Sequence, residues 1–243
     1  MNWWEGRLCT FDLETTGTDP EEARIVTACV ALVGGGLSPK VEKWLVDPGI
    51  EIPAEASAVH GITTERARAE GVKPQGAVRD IEMCLREAAV HGCPIIIFNA
   101  PYDWTVLDRE ARRHSMGSRV LTLAETARTV DPLIIDRHLD KYRPGSRKLG
   151  DMCRHYGLKL EDAHDAVADC LAAARIAYRL GQKFARELSD LTQLMKKQTS
   201  WYRAWATNFA QYLERKGEQH DLDPEGWPNK MSRKPVVAPF FVP

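Results

Sequence analysis

The chain reads as an α/β protein built on a mixed five-stranded sheet flanked by helices and followed by a helical extension. Two observations carry this. Three strand-like segments come first, the second and third joined by a glycine hairpin, and helical periodicities then alternate with two more strands. One later strand, residues 94–98 (Pro-Ile-Ile-Ile-Phe), is continuously apolar, as a strand covered on both faces must be.

Residues 7–13 predict the first strand, 24–33 the second and 41–46 the third, with Gly34, Gly35 and Gly36 turning between the last two. Those glycines are not a phosphate loop, because no Gly-Lys-Ser/Thr follows and no helix begins there. An irregular region containing Val59-His60-Gly61-Ile62-Thr63 comes next. Val78, Ile81, Leu85 and Ala88 recur at helical spacing and predict a helix over 75–91 ending at Gly92. After the apolar strand, Asn99 leads into a helix to about 114, and a short strand is expected over 129–135. Further helices are expected over 148–156, 164–185 and 189–216. Residues 1–185 are assigned to the main domain and 186–243 to a helical extension with a Pro-rich, surface-draped tail.

At 243 residues and 44% hydrophobic content the chain can bury a full core, and its net charge of −1 announces no global basic field. A polyanion would have to be held by local charge or by metal. The N-terminus lacks a basic segment followed by an apolar one, and the apolar runs are too short to span a bilayer. A cytoplasmic protein with no membrane partner is expected. The six cysteines form no C-x-x-C pair and fit core positions in a reducing compartment.

The chemistry concentrates at Phe11-Asp12-Leu13-Glu14-Thr15-Thr16-Gly17. Residues i and i+2 of a strand share a face, roughly 6.5–7 Å apart, so Asp12 and Glu14 converge while Phe11 and Leu13 turn to the opposite side. Thr15, Thr16 and Gly17 are expected to break the strand and offer hydroxyls and open backbone. An isolated pair of this kind also suits a solvated strand end, so the rest of the chain must decide. Asp103 follows the apolar strand and opens a helix, where the carboxyl ends of strands form a crevice. Asp169 lies on an Ala-rich helix between Ala166 and Ala173, small residues that let it approach a sheet. His164, five residues earlier, would sit about 140° around a continuous helix and is therefore placed on the loop before it.

The ordered set Asp12-x-Glu14, Asp103 and His164-x-x-x-x-Asp169 resembles the histidine-subtype DEDD exonucleases, the family of the proofreading epsilon subunit of bacterial DNA polymerase III and of ribonuclease T. The likeness spans about residues 5–185 and implies a ribonuclease H-like exonuclease fold. It implies two Mg²⁺ or Mn²⁺ ions, which oxygen-only ligands suit. Asp12 would bridge them, Glu14 and Asp169 would serve the ion holding the attacking water, and Asp103 would serve the leaving-group side. His164 would be the general base, a role its ordinary pKa near 6.5 fits. Thr15, Thr16, Val59, His60, Asn99 and Tyr102 are the candidate substrate contacts, Tyr102 chiefly as a packing residue beside Asp103.

The implied activity is 3′–5′ removal of nucleoside 5′-monophosphates from single-stranded or frayed DNA, in proofreading or repair, with a DNA polymerase or other replication protein as a candidate partner. An exoribonuclease trimming RNA ends is the alternative, and a non-catalytic polymerase-associated scaffold is the alternative of another class. The basic run Arg137, Lys141, Arg143, Arg147, Lys148, Arg154 and Lys159 holds few acids and is the best candidate for tracking a phosphate backbone. Trp201, Trp205, Phe209 and Tyr212 form a stripe on one helix face, expected to pack on its own domain rather than on a partner.

Overall fold

The computed structural model describes residues 2–116, 119–159 and 165–230. Its sheet contains β1 (Arg7–Thr15), β2 (Ile25–Gly34), β3 (Lys40–Leu45), β4 (Ile95–Ile96) and β5 (Thr129–Val130), in the order β3-β2-β1-β4-β5. The first three strands pair antiparallel with one another, whereas β4 joins β1, and β5 joins β4, in parallel.

Alternation along β1 divides the molecule into two layers. Cys9, Phe11 and Leu13 face a core shared with α3 (Pro74–Val90), α4 (Ala100–Arg113) and α5 (Arg119–Thr126). Burying Val78, Ile81 and Leu85 of α3 there contributes roughly 1.5–3 kcal/mol per side chain before entropy is counted. Leu8 and the opposite sheet face pack on α6 (Pro132–Leu139), α7 (Leu149–His155) and α8 (Ala166–Lys183). Gly181 of α8 has no Cβ for a reason: one built there would lie 2.4 Å from the Trp4 ring.

Several elements depart from the sequence expectations. The strand of Asp12 does not break at Thr15 but pairs through it, with a register shift after Glu14. The region around Val59 is not irregular but forms α1 (Ala54–His60) and α2 (Thr64–Glu70). Gly61 at φ 74° ends α1, and the Thr63 hydroxyl caps α2 by accepting from Arg66 N at 3.2 Å. Both helices are short and bury little, so they carry no strong apolar period. The strand expected over 129–135 stops at Val130, because Asp131 caps α6 and Pro132 occupies its first turn.

The extension comprises α9 (Ala185–Leu188) and α10 (Leu191–Lys216). Gln198 of α10 is fully buried, accepting from Asp131 N at 2.7 Å and donating to Thr129 O at 2.9 Å. Farther on, Asn229 and Lys230 bond Thr105 of α4, and Trp227 is buried. All six cysteines are free. Among the described residues no helix is long and apolar enough to cross a membrane.

Candidate active site

Four elements meet at the C-terminal end of β1. The β1–β4 ladder ends at Thr10↔Ile96. Because Cys9 N bonds Pro94 O on that edge, Leu13 N, four residues on, points the same way with no strand to receive it. Asp103 fills the gap, its Oδ1 accepting from Leu13 N at 3.0 Å. This bond fixes Asp103, in the first turn of α4, beside the strand residue that separates Asp12 from Glu14.

Helix α8 approaches from the face shared by Thr10, Asp12 and Glu14. The Thr10 hydroxyl donates to Cys170 O at 2.9 Å, and Ala166 and Cys170 pack on Cys29 and Ala31 of β2. Asp169, adjacent to Cys170 and 9% exposed, is thereby delivered to the acid pair. Oxygens of Asp12, Glu14 and Asp169 lie within 4.8 Å of one another. Asp103 stands outside that triad but shares with Asp12 an open cavity of about 660 Å³, lined also by Asn99, Tyr102, Arg137 and Lys148.

So many carboxylates cannot ionise together in a half-dry site. Burial first, then the charges of Asp103, Asp169 and Glu14, push the Asp12 carboxyl well above the usual range. Burial likewise raises Asp103, against the stabilising Leu13 N–H. Glu14 is raised to about 7 by burial, then by Asp169 and Asp165. A divalent cation is the group this arrangement fits, since the donors are all oxygen and their mutual repulsion vanishes on neutralisation.

The remaining expected residues are spread around this core. His164 lies outside the described residues; its sequence neighbour Asp165 caps α8, accepting from Val167 N at 2.8 Å. His60 lines a second cavity, of about 350 Å³, with Lys43, Trp44, Arg66 and Asp165; Thr27, the cross-strand partner of Glu14, joins them. Val59 is 51% exposed on α1 and lines neither cavity. Thr15 and Thr16 engage the chain itself. Thr15 Oγ1 donates to Gly17 O at 2.8 Å and bonds the Tyr102 hydroxyl, while Thr16 Oγ1 accepts from Arg24 N at 3.0 Å. Tyr102 therefore fastens the turn after Glu14, in keeping with a packing role.

Asp131 was not anticipated as a site residue. Its carboxylate accepts from Asn99 N at 3.1 Å, Ala100 N at 3.0 Å and Leu133 N at 3.0 Å. It holds Asn99 in a left-handed conformation (φ 67°) and so sets where α4 and Asp103 begin. The Asp-Pro pair at 131–132, a helix-start signature, could have revealed it. The basic run also differs from expectation. Arg143 and Arg147 pair with buried Asp136 at 3.0 and 2.9 Å, and Arg154 pairs with Asp151, so these three are tied to acids.

Comparison with known proteins agrees with this architecture. The family model described as Exonuclease (RNase T) matches residues 9–177, and the chain belongs to that family, whose members generally depend on divalent metal. It is 28% identical over 178 residues to the DNA polymerase III epsilon subunit of Rickettsia prowazekii, covering 70% of this chain and 72% of that one. It is 29% identical over 177 residues to an uncharacterized exonuclease of Escherichia phage 186, covering 69% and 84%. A PolC-type DNA polymerase III of Streptococcus agalactiae is 27% identical over 205 residues, 82% of this chain but 13% of the polymerase. Exonuclease I of E. coli, solved with a dT13 oligonucleotide, shares the fold with a TM-score of 0.64 at 20% identity, over 74% of this chain and 42% of its own. The chain thus spans only a minor part of the polymerase and less than half of exonuclease I.

Proposed function

We propose that this exonuclease removes nucleotides one at a time from the 3′ end of single-stranded or frayed DNA, using Asp12, Glu14, Asp103 and Asp169 to hold two Mg²⁺ or Mn²⁺ ions and His164 as general base. The observation that carries this reading is the convergence of Asp12, Glu14 and Asp169 within 4.8 Å with Asp103 fixed alongside. Carboxylates so close oppose folding unless a cation joins them. When bound, two such cations supply charge neutralisation at the attacking and leaving oxygens of an in-line displacement.

The chain's own residues do the rest. Asp12 would be shared between the ions, Glu14 and Asp169 would hold the one on the water side, and Asp103 the one on the leaving side. An imidazole nitrogen of His164 takes a proton from the water as its oxygen bonds to phosphorus. The bond from phosphorus to the 3′ oxygen breaks, that oxygen takes a proton from solvent while His164 later returns its own to solvent, and a nucleoside 5′-monophosphate leaves. Tyr102 holds the turn beyond Glu14, and Arg137 and Lys148 supply positive charge on the same cavity. In this reading His60, which lines the neighbouring cavity, contacts the terminal nucleotide, and the enzyme associates with a polymerase.

The test is digestion of matched, labelled DNA and RNA oligonucleotides with Mg²⁺. Stepwise shortening of DNA from the 3′ end, abolished by EDTA and by His164→Ala, is expected. Strict preference for RNA would convert the enzyme to an exoribonuclease, and undiminished digestion by Asp12→Asn would overturn the catalytic reading.

A further inference from the structure

A third cavity, of about 480 Å³, adjoins the active site between α6 and α10. Arg137, Lys141, Arg147, Trp201, Trp205 and Asn208 line it, together with Ile134, His138 and Ala204, and no acid is in that lining. Arg137 and Arg147 also line the cavity of Asp12 and Asp103, so the two spaces adjoin across cationic side chains. Arg147 is tied to Asp136, but Arg137 and Lys141 make no ion pair among the described residues. Both side chains line the groove, the Arg137 guanidinium against the Trp205 ring and the Lys141 ammonium 5.5 Å from the Tyr142 ring.

The aromatic stripe of α10 explains how Arg137 is held. Its guanidinium carbon lies 3.8 Å from the centre of the Trp205 ring. Trp205 stacks on Phe209 at 5.6 Å, Phe209 on Tyr212 at 6.1 Å, and Lys216 Nζ lies 5.9 Å from the Tyr212 ring. The column is thus closed by a cation at each end. Ring faces are already engaged within the column, so the groove offers cations rather than free platforms for bases.

We propose that the groove between α6 and α10 binds the backbone phosphates of single-stranded DNA on the 5′ side of the linkage being cut, through Arg137 and Lys141. Charge complementarity selects this occupant: a strand leaving the acid site meets Arg137, Lys141 and Arg147 and no lining acid. The inference rests on the nuclease reading for its direction along the strand, while the binding itself does not require chemistry.

The 243-residue chain, kept in EDTA so that nothing is cut, is titrated into 5′-fluorescein dT4, dT8 and dT16 with anisotropy as the readout. Lys141→Glu and Asn208→Glu each reverse or add charge at an exposed groove position, and Arg79→Glu is the charge-matched control on α3. Wild type is expected to bind dT16 far more tightly than dT4. Each groove variant should weaken dT16 binding about tenfold and flatten its salt dependence by about 0.7 per lost phosphate contact, while Arg79→Glu retains it. Unchanged dT16 affinity and salt slope in both groove variants, or equal weakening by Arg79→Glu, would overturn the proposal. The nuclease reading is judged separately: wild type that binds dT16 in this way but never shortens it with Mg²⁺ leaves the groove standing and the reaction refuted.

Discussion

The molecule buries acids in two contrasting ways. At the end of β1, Asp12, Glu14 and Asp169 crowd together, with Asp103 alongside, and burial and neighbouring charge raise the carboxyls of Asp12, Glu14 and Asp103. On α6, Asp136 is fully buried but sits among donors: Arg143 Nε and Arg147 Nε within 3.1 Å and the Tyr156 hydroxyl at 2.6 Å. Asp108 and Glu110 of α4 are also matched, to Arg109 and Arg112 and to Arg24 and Arg113. Burial alone therefore does not mark a functional carboxylate. What separates the two groups is whether the fold provides the compensating positive charge or leaves it to be supplied from outside.

The largest expected effects lie in that contrast. Asp12→Asn should lower exonuclease activity by about a thousandfold or more, equivalent to roughly 4 kcal/mol of barrier. In EDTA its melting temperature should hold or rise, because a repulsive charge is gone. Asp136→Ala should do the reverse, destabilising the fold by about 3–5 kcal/mol as Arg143 and the partly buried Arg147 lose their partner. Paired thermal melts and activity assays read both. A stability loss in Asp12→Asn as large as in Asp136→Ala would erase the distinction.

Next in size is the seam between the exonuclease body and its extension. Gln198→Leu fills similar space but leaves Asp131 N and Thr129 O without their partner, at about 1–3 kcal/mol for each buried group. Denaturant unfolding should shift to a lower midpoint in one transition, since α10 and β5 are bonded to each other. Two separate transitions would mean that α10 folds as an independent unit.

How far the sequence revealed this contrast depends on the range of each signal. Asp12 and Glu14 were legible because strand alternation is local, and Asp103 and Asp169 because motif order stands in for long-range geometry. Asp136 was invisible, since its partners Arg143 and Arg147 read in one dimension as an uncompensated basic run. The helices α1 and α2 were missed because seven-residue helices bury too little to show a period. The aromatic stripe was half resolved: Trp201 and Trp205 are partly buried against α6, whereas Phe209 and Tyr212 remain 39% and 46% exposed.

The acid cluster should also declare itself through pH. Glu14 is raised to about 7 from an ordinary value of 4.5, so the folded state holds its proton more tightly than the unfolded chain does. Below about 4.5 both states are protonated and no penalty arises. As pH climbs to about 7 the unfolded state gains charge first, so metal-free protein loses stability across that window and stays lowered above it. Asp131, raised to about 6 chiefly by burial, contributes in the same direction. Melts in EDTA should fall from pH 5 to pH 8, Mg²⁺ should restore more at pH 8 than at pH 5, and Glu14→Gln should shrink both trends. An Mg²⁺ effect independent of pH would argue against cation binding at these carboxylates.

The smallest effect concerns Tyr102, which stands between the two regimes. It borders the acid cavity, yet its hydroxyl bonds Thr15 and Gly17 O, and burial raises it to about 12, which keeps it a neutral donor. In Tyr102→Phe, Thr15 Oγ1 can still donate to Gly17 O, so the loss should be about 0.5–1.5 kcal/mol, a few degrees in melting temperature. Activity should fall less than about tenfold, because a looser turn displaces Glu14 without removing a ligand. A drop as deep as that of Asp12→Asn, with an unchanged melt, would move Tyr102 from the residues that hold the site to those that touch the substrate.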